Sequence, residues 1–293
     1  MRDAERPGPE GGEAAQSGGG ILRKMPGLLG LRGGDTWLVI GFRFVLRPVG
    51  EITPWGGRDP MLHWFGLTDG WYWIELDDRD LLRYSQESLR GSRGGGHDVA
   101  RSRVDYQVVR LWEDLIQMTP AVLEPVPAGL ASFVASHPAS WAPCGSGEAG
   151  TGEADTAAQW HGDHTLDLLY LRAPPWIQWW RTVAGGKDVV TIRWLHRPES
   201  GIEFTAGRQG QVTVATSAFI AAVEEFDRGL LTAMEARVTG LERTGPPRGV
   251  RIDMHRLRAE QQDRAQWLRR ALRHAPGTDW SRVRMGAAEL LAT

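Results

Sequence analysis

"LHWFGLTDGWYWIEL", residues 62–76, gathers three Trp, one Tyr and one Phe around a single Asp-Gly. Asp69-Gly70 between apolar runs is a strong short-range hairpin signal, because a type I′ turn needs φ > 0 at both loop positions. A two-residue loop sets Thr68 opposite Trp71, Gly66 opposite Trp73 and Trp64 opposite Glu75. Alternation then puts Leu62, Trp64, Gly66, Thr68, Trp71, Trp73 and Glu75 on one face. His63, Phe65, Leu67, Tyr72, Ile74 and Leu76 take the other, which reads as core. Three bare Trp would expose roughly 450–750 Å² of ring, at or above the ~300–600 Å² of the largest patch on a typical monomer. The Trp face is therefore expected to be covered. The cover is either a helix of the same chain, with 104–118 nearest in sequence, or a partner for which Trp64, Trp71 and Trp73 form the candidate binding surface.

Working outward, Phe42, Phe44 and Leu46 alternate with Arg43, Val45 and Arg47 in a strand pattern stopped by Pro48. Residues 1–36 lack periodicity, are rich in Gly, Pro, Glu and Arg, and read as a disordered leader. "GSRGGGHD" (91–98) reads as a loop. Ser102 followed by Asp105 resembles a helix start. Val104, Val108, Leu111, Leu115 and Met118 then recur at helical spacing until Thr119-Pro120. Residues 128–136 suit a short helix. Residues 137–158 are rich in Pro, Gly, Ser and Ala and form the best linker candidate. The resulting organisation is a leader (1–36), an α+β unit (37–136), a linker (137–158), a second α+β unit (159–275) and a tail (276–293).

The second unit opens with "QWHGDHTLDLLYL", which suits a short helix. Gly185-Gly186 between β-branched and aromatic runs reads as a hairpin that places Ile177, Trp179, Val190, Ile192 and Trp194 on one face. "GIEFTA" and "QVTVAT" read as two further strands. Thr216 or Ser217 is expected to cap a helix with the stripe Phe219, Ile220, Val223, Phe226, Leu230, Met234 and Val238, ending at Gly240. A second helix starts at Asp253 and carries Met254, Leu257, Ala265, Leu268 and Leu272. Strands followed by helices, twice, predict an α+β fold with largely antiparallel, Trp-rich sheets or hairpins packed on amphipathic helices.

Composition narrows the function classes. Hydrophobic residues make up 41% and charged residues 24% of 293, as in ordinary globular proteins. A net charge of -2 gives no general attraction to nucleic acid or anionic membranes. Lys occurs only at Lys24 and Lys187, so nearly all basic side chains are Arg. The single cysteine, Cys144, can form no internal disulfide. No apolar run approaches the ~20 residues of a membrane span, and the N-terminus lacks a signal-peptide core. A cytoplasmic location without a membrane partner is expected.

The runs "FRFVLRPVGEITPWG", "LHWFGLTDGWYWIEL", "LLRYS" and "VDYQVVRLWEDLIQMTPAVLEPVP" resemble an actinobacterial family known only as a domain of unknown function. "LDLLYLRAPPWIQWWR" and "FIAAVEEFDRGLLTAMEARV" extend the resemblance over roughly residues 42–273. It implies no chemistry. It implies that members begin close to the "FRF" strand, so translation from Val39 and a near-neutral deletion of 1–36, below ~1 kcal/mol, are expected.

Chemistry-bearing clusters are few. In "WHGDHTLD", His161, Asp163, His164 and Asp167 are ligand types for zinc or iron, but their spacing differs from the His i, i+4 of H-E-x-x-H. A polar helix start, with Asp163 near the N-terminal dipole, accounts for them better. Glu75, Asp77, Asp78 and Asp80 fit a solvated turn better than an acid–base pair. P-loop, G-x-G-x-x-G and G-x-S-x-G signatures are absent from the sequence. Residues 248–284 hold ten Arg against four acids, and Arg256, Arg264, Arg270 and Arg273 are candidates for a nucleic-acid-binding face. The expectation is a non-enzymatic module that binds another protein, of an immunity-like, antitoxin-like or regulatory adaptor kind, with Trp as anchors and no cofactor. A metal-dependent enzyme centred on the His161 segment, holding a divalent ion, and an Arg-mediated nucleic-acid binder are the alternatives.

Overall fold

Strand β1 (Ile40–Leu46) pairs antiparallel with β2 (Asp69–Leu76) along its whole length, from Ile40 opposite Leu76 to Leu46 opposite Gly70. Asp69-Gly70 is thus the start of a strand, and the hairpin expected at 62–76 does not form. The computed structural model describes residues 39–91, 102–142, 152–196 and 201–292. The expected leader, most of the "GSRGGGHD" loop, and Cys144 with its Gly-rich surroundings lie outside the described residues.

Residues 62–68 leave the sheet because β1 offers β2 more apolar partners, among them Ile40 with Leu76, Phe42 with Ile74 and Phe44 with Tyr72. Gly66–Thr68 instead coil into a 3-10 turn, and the Leu62 N–H bonds the Arg251 carbonyl. Gly70 is required by close approach: a Cβ there would sit 2.2 Å from the Val45 carbonyl oxygen. The second edge of β2 is shared. β3 (Arg79–Leu81) pairs with its last residues across a turn at Asp77-Asp78, and β4 (Val104–Gln107) pairs with its first. The Asp-rich stretch is that turn, with Asp77 at φ 55°.

In this sheet Phe42, Tyr72, Ile74 and Leu76 face the core. Trp71 and Trp73 face away, yet Trp73 is only 8% exposed. Among the described residues, guanidinium groups lie over both rings. The Arg47 guanidinium lies 4.4 Å from the Trp71 ring centre and that of Arg103 lies 3.8 Å from Trp73. Arg suits this role because its planar, weakly hydrated cation stacks on a ring while its edge stays polar.

The second sheet has the order β5 (Trp176–Ala184), β6 (Lys187–Leu195), β7 (Gln209–Ala215), all antiparallel. Gly185 and Gly186, at φ 57° and 75°, make the expected two-residue turn. Ile177, Trp179, Val190, Ile192 and Trp194 share the buried face as the alternation predicts. "GIEFTA" makes only an isolated bridge, Phe204 to Tyr84.

Helix α1 (Gln86–Gly91) precedes β4. α2 (Val108–Leu123) starts four residues later than its apolar spacing suggested, because Val104 buries its side chain from a strand. It also runs through Pro120. That proline sits in the last turn, where its missing N–H forfeits one bond, and the turn beyond it is held by the fully buried Val122. α3 (Ala131–Val134) is short, and α4 (Glu153–Gly162) begins inside the stretch read as linker. α5 (Thr216–Thr244) continues four residues past Gly240 to a left-handed Gly245. Thr216 does not cap it; its hydroxyl donates to Asp188. Asp253 caps α6 (Met254–Arg264) by accepting from the Arg256 N–H. α7 (Trp267–Ala271) follows after a break at Ala265-Gln266.

Phe42 lies 5.9 Å from both Trp179 of β5 and Phe226 of α5, so both sheets and the long helix share one core. Phe42 and Trp179 come from the two units expected from the sequence. A smaller cluster joins Phe133, Trp160 and Trp180 to α8 (Trp280–Leu291), which occupies the span read as a tail. Gly286 permits that crossing: a Cβ there would sit 1.9 Å from the Glu153 carbonyl oxygen of α4. Among the described residues no helix is long and apolar enough to cross a membrane.

Candidate binding groove

The imidazoles of His161 and His164 are buried among aromatic rings. α4 ends at Gly162, so the two do not share a helical face with Asp167. His161 stacks on Trp176 and meets Trp141 edge-on at 4.8 Å. Its Nε2 lies 2.7 Å from the Gln178 amide nitrogen and 3.1 Å from the Ser136 carbonyl. His164 Nδ1 is 2.7 Å from the Trp160 carbonyl. Burial lowers both imidazoles, His161 to about 4, so both are neutral at pH 7. Asp163 and Asp167 are exposed; Asp163 accepts from the Gln159 amide and Asp167 from the Leu169 N–H. Among the described residues no group of three or more His, Cys, Asp or Glu is placed to hold a metal ion.

Trp64, Trp71 and Trp73 do not form one surface. Trp64 is fully buried, with its indole N–H donating to Gln261 Oε1 at 2.8 Å. The four candidate arginines also separate. Arg264 turns inward, bonded to Glu113 at 2.6 Å and Glu260 at 2.9 Å. Arg270 pairs with Asp263 at 3.0 Å. Arg256 is exposed near the start of α6, and Arg273 lies beyond α7.

Arg273 belongs to another feature. Along α5 the buried stripe of Phe219, Val223, Phe226, Leu230, Met234 and Val238 faces the sheets. The opposite flank, from Glu224 to Arg243, faces the α6–α7 segment across an open groove of about 1030 Å³. At ~1.5 Å of rise per helical residue this flank is about 28 Å long. Its floor is apolar, with Leu231, Leu268 and Leu272, the last 37% exposed. Its walls carry Arg228, Arg243, Arg269 and Arg273, which make no ion pair among the described residues. Two of the wall carboxylates are already engaged: Glu235 holds Arg258, and Asp227 accepts from the Trp112 indole. Glu224 is the third wall carboxylate; with Glu235 neutralised by Arg258, four arginines stand against Glu224 and Asp227, so the rim carries a net positive charge over an apolar base.

A second concavity, about 710 Å³, opens beside α2. Asp114 lines it, and burial raises its carboxyl to about 7 despite the nearby Arg110 cation. The local signal for Asp114 is its place beside Leu111 and Leu115 on the apolar stripe of α2, where an acid is carried into the interior. The groove had no such signal, because α5 and α7 are far apart in sequence and only their packing brings their arginines to one rim.

No curated protein and no solved structure matches the chain. Residues 41–286 match a family described as a family of unknown function, DUF5984, which spans both sheets, the groove and the start of α8. The protein is thus a member of the DUF5984 family.

Proposed function

We propose that this protein is a binding module for another protein, and that the α5/α6–α7 groove receives an acidic amphipathic helix of that partner. The carrying observation is the apolar floor of Leu231, Leu268 and Leu272 between walls of arginines without ion-pair partners among the described residues. Helix-in-groove recognition uses apolar anchors at i, i+3/i+4 and i+7, and complementary charge at the rim steers and orients the incoming helix. Of the Trp residues expected from the sequence as interface anchors, Trp64 and Trp73 are buried.

The test is titration with a synthetic acidic amphipathic helix of about 18 residues, Leu on one face and Glu elsewhere, against the same peptide with Lys for Glu. Selective, salt-sensitive binding of the Glu peptide is expected, weakened at least ~10-fold by the double variant Arg269→Glu/Arg273→Glu. Equal binding of the two peptides, or preferential binding of single-stranded DNA that the double variant abolishes, overturns the reading. Immunity-like and regulatory adaptor roles both fit such a module.

A further inference from the structure

The cleft beside α2 has chemistry that the groove lacks. Asp114 lies one helical turn after Arg110, with its side chain only 8% exposed. Its Oδ1 is 3.5 Å from Arg110 Nη2, and its buried Oδ2 accepts no hydrogen bond from any described residue. A buried carboxylate oxygen without a donor carries a desolvation cost that a bound donor removes.

Arg110 cannot supply that donor alone, because it is spread over three carboxylates. It lies 3.7 Å from Glu113, 3.5 Å from Asp114 and 3.7 Å from Asp167, all longer than good hydrogen bonds. Its guanidinium also sits 5.2 Å from the Tyr170 ring centre. Glu113 has a stronger partner in Arg264 at 2.6 Å. Asp163 adds a further acid to the wall, and His274 faces it from the segment after α7. The cleft therefore holds more negative than positive charge. Its volume falls within the ~300–1,000 Å³ of small-molecule sites. A metal ion does not fit, since no convergent ligand set exists among the described residues.

We propose that this cleft binds a small organic cation, a primary amine or guanidinium, with Asp114 as its anchoring carboxylate and Asp167 as the second acceptor. An ammonium brings three donors and a full charge to carboxylates that share one guanidinium. The groups facing Asp114 are Arg110 and Glu113 of α2, Asp167 and Tyr170 of the segment after α4, and Tyr72 of β2, whose hydroxyl is 2.8 Å from that of Tyr170. His274 and Asp163 complete the charged lining of the cleft. Burial keeps both tyrosines neutral and raises the Asp114 carboxyl to about 7, so its charge changes through the neutral range. The cation binds the ionised carboxylate, and bound proton and bound cation exclude one another.

The experiment is saturation-transfer NMR and calorimetric titration of the full chain with butylamine, agmatine and spermidine, with butanol and butyrate as controls. At least one of the three cations binds in the millimolar range or tighter. Its affinity rises roughly tenfold from about pH 6 to pH 8, as the ionised fraction of Asp114 grows. Asp114→Asn, which preserves shape, weakens binding at least tenfold and removes that pH dependence, while circular dichroism and the melting curve report an intact fold. Asp167→Asn gives a smaller loss. The proposal is overturned if none of the three cations binds, if butyrate or butanol binds as well as they do, or if Asp114→Asn leaves affinity and its pH profile unchanged.

Discussion

The guanidinium carbon of Arg264 lies 4.3 Å from the centre of the Trp64 ring, with the rings of Trp267 at 4.6 Å and Trp112 at 5.6 Å around the same cation. The sequence offers these two residues as candidates for different surfaces, Trp64 for a protein partner and Arg264 for nucleic acid. They meet instead in the interior, where α6 crosses the 62–68 segment and α2. Arg264 keeps its charge satisfied through Glu113 and Glu260 and its stem packed among indoles.

Removing that cation leaves Glu113 with only the more distant Arg110, at 3.7 Å, and opens a gap between three rings. Breaking a buried pair by deleting one partner costs ~3–5 kcal/mol, so Arg264→Ala lowers the unfolding free energy by about that amount. Arg264→Lys recovers only part of it, because the ammonium lacks the flat fork that stacks and bonds at once. Urea denaturation of both variants checks this. A loss below ~1 kcal/mol for Arg264→Ala would show that the pair is a solvated bystander.

Gly70 and Gly66 respond differently to one methyl group. At Gly70 the added Cβ meets the Val45 carbonyl oxygen at 2.2 Å, whereas at Gly66 the nearest atom is a Leu62 methyl at 3.5 Å. Gly70→Ala separates β1 from β2 and costs at least ~2 kcal/mol or prevents soluble expression. Gly66→Ala stays within ~1 kcal/mol of the parent. Comparable melting points for the two variants would argue against the close approach at Gly70.

Asp114 and His161 titrate with opposite signs in overlapping pH windows. Between about pH 4 and 7 folded Asp114 keeps a proton that the unfolded chain has released, so this group makes stability fall as pH rises. Between about pH 4 and 6.5 folded His161 stays neutral while the unfolded chain binds a proton, so this group makes stability rise with pH. Each pH unit of such a window contributes ~1.4 kcal/mol, so the two effects are of similar size and largely offset. Asp114→Asn leaves His161 unopposed, and its stability climbs by about 2–3 kcal/mol across the His161 window. His161→Gln removes the His161 share of that rise, while the buried His164, also lowered, keeps the same sign. Urea midpoints across that range for the parent and both variants give the answer; parallel profiles contradict it.

α8 is expected to behave as a structural element. Val283, Ala287 and Leu290 are buried against α4 and the Phe133–Trp160 cluster, and Gly286 lets the two backbones touch. Gly286→Val forces the helices apart and costs ~2–4 kcal/mol. Increased solvent exposure of Trp160 and Trp280, read as a red shift in fluorescence, accompanies it. A variant with parental stability and unchanged emission would return residues 280–291 to the status of a tail.

Local physics made several elements legible from the sequence alone. The β5–β6 hairpin follows from Gly185-Gly186, because only glycine adopts two successive left-handed conformations without strain. The inward face of that hairpin follows from strict alternation, and the α5 core stripe from 3.6-residue spacing. The family resemblance was carried by long runs of matching residues. What the sequence left open is what depends on partners distant in the chain. Asp69-Gly70 satisfies the turn rule as well as any hairpin, but β1 competes for β2 with more apolar pairs, and that competition is decided by tertiary burial. Val104 and Val108 fit a helix or a strand equally until β2 presents an open edge. The cover over Trp71 and Trp73 comes from Arg47 and Arg103, and these rings and guanidiniums meet only once β1 and the segment before β4 are in place. Arg264, an ordinary exposed-helix residue by composition, becomes core because three Trp from separate segments converge on it. The groove and the Asp114 cleft arise in the same way, from α5, α7, α2 and the loop after α4 brought together by packing, which no local pattern encodes.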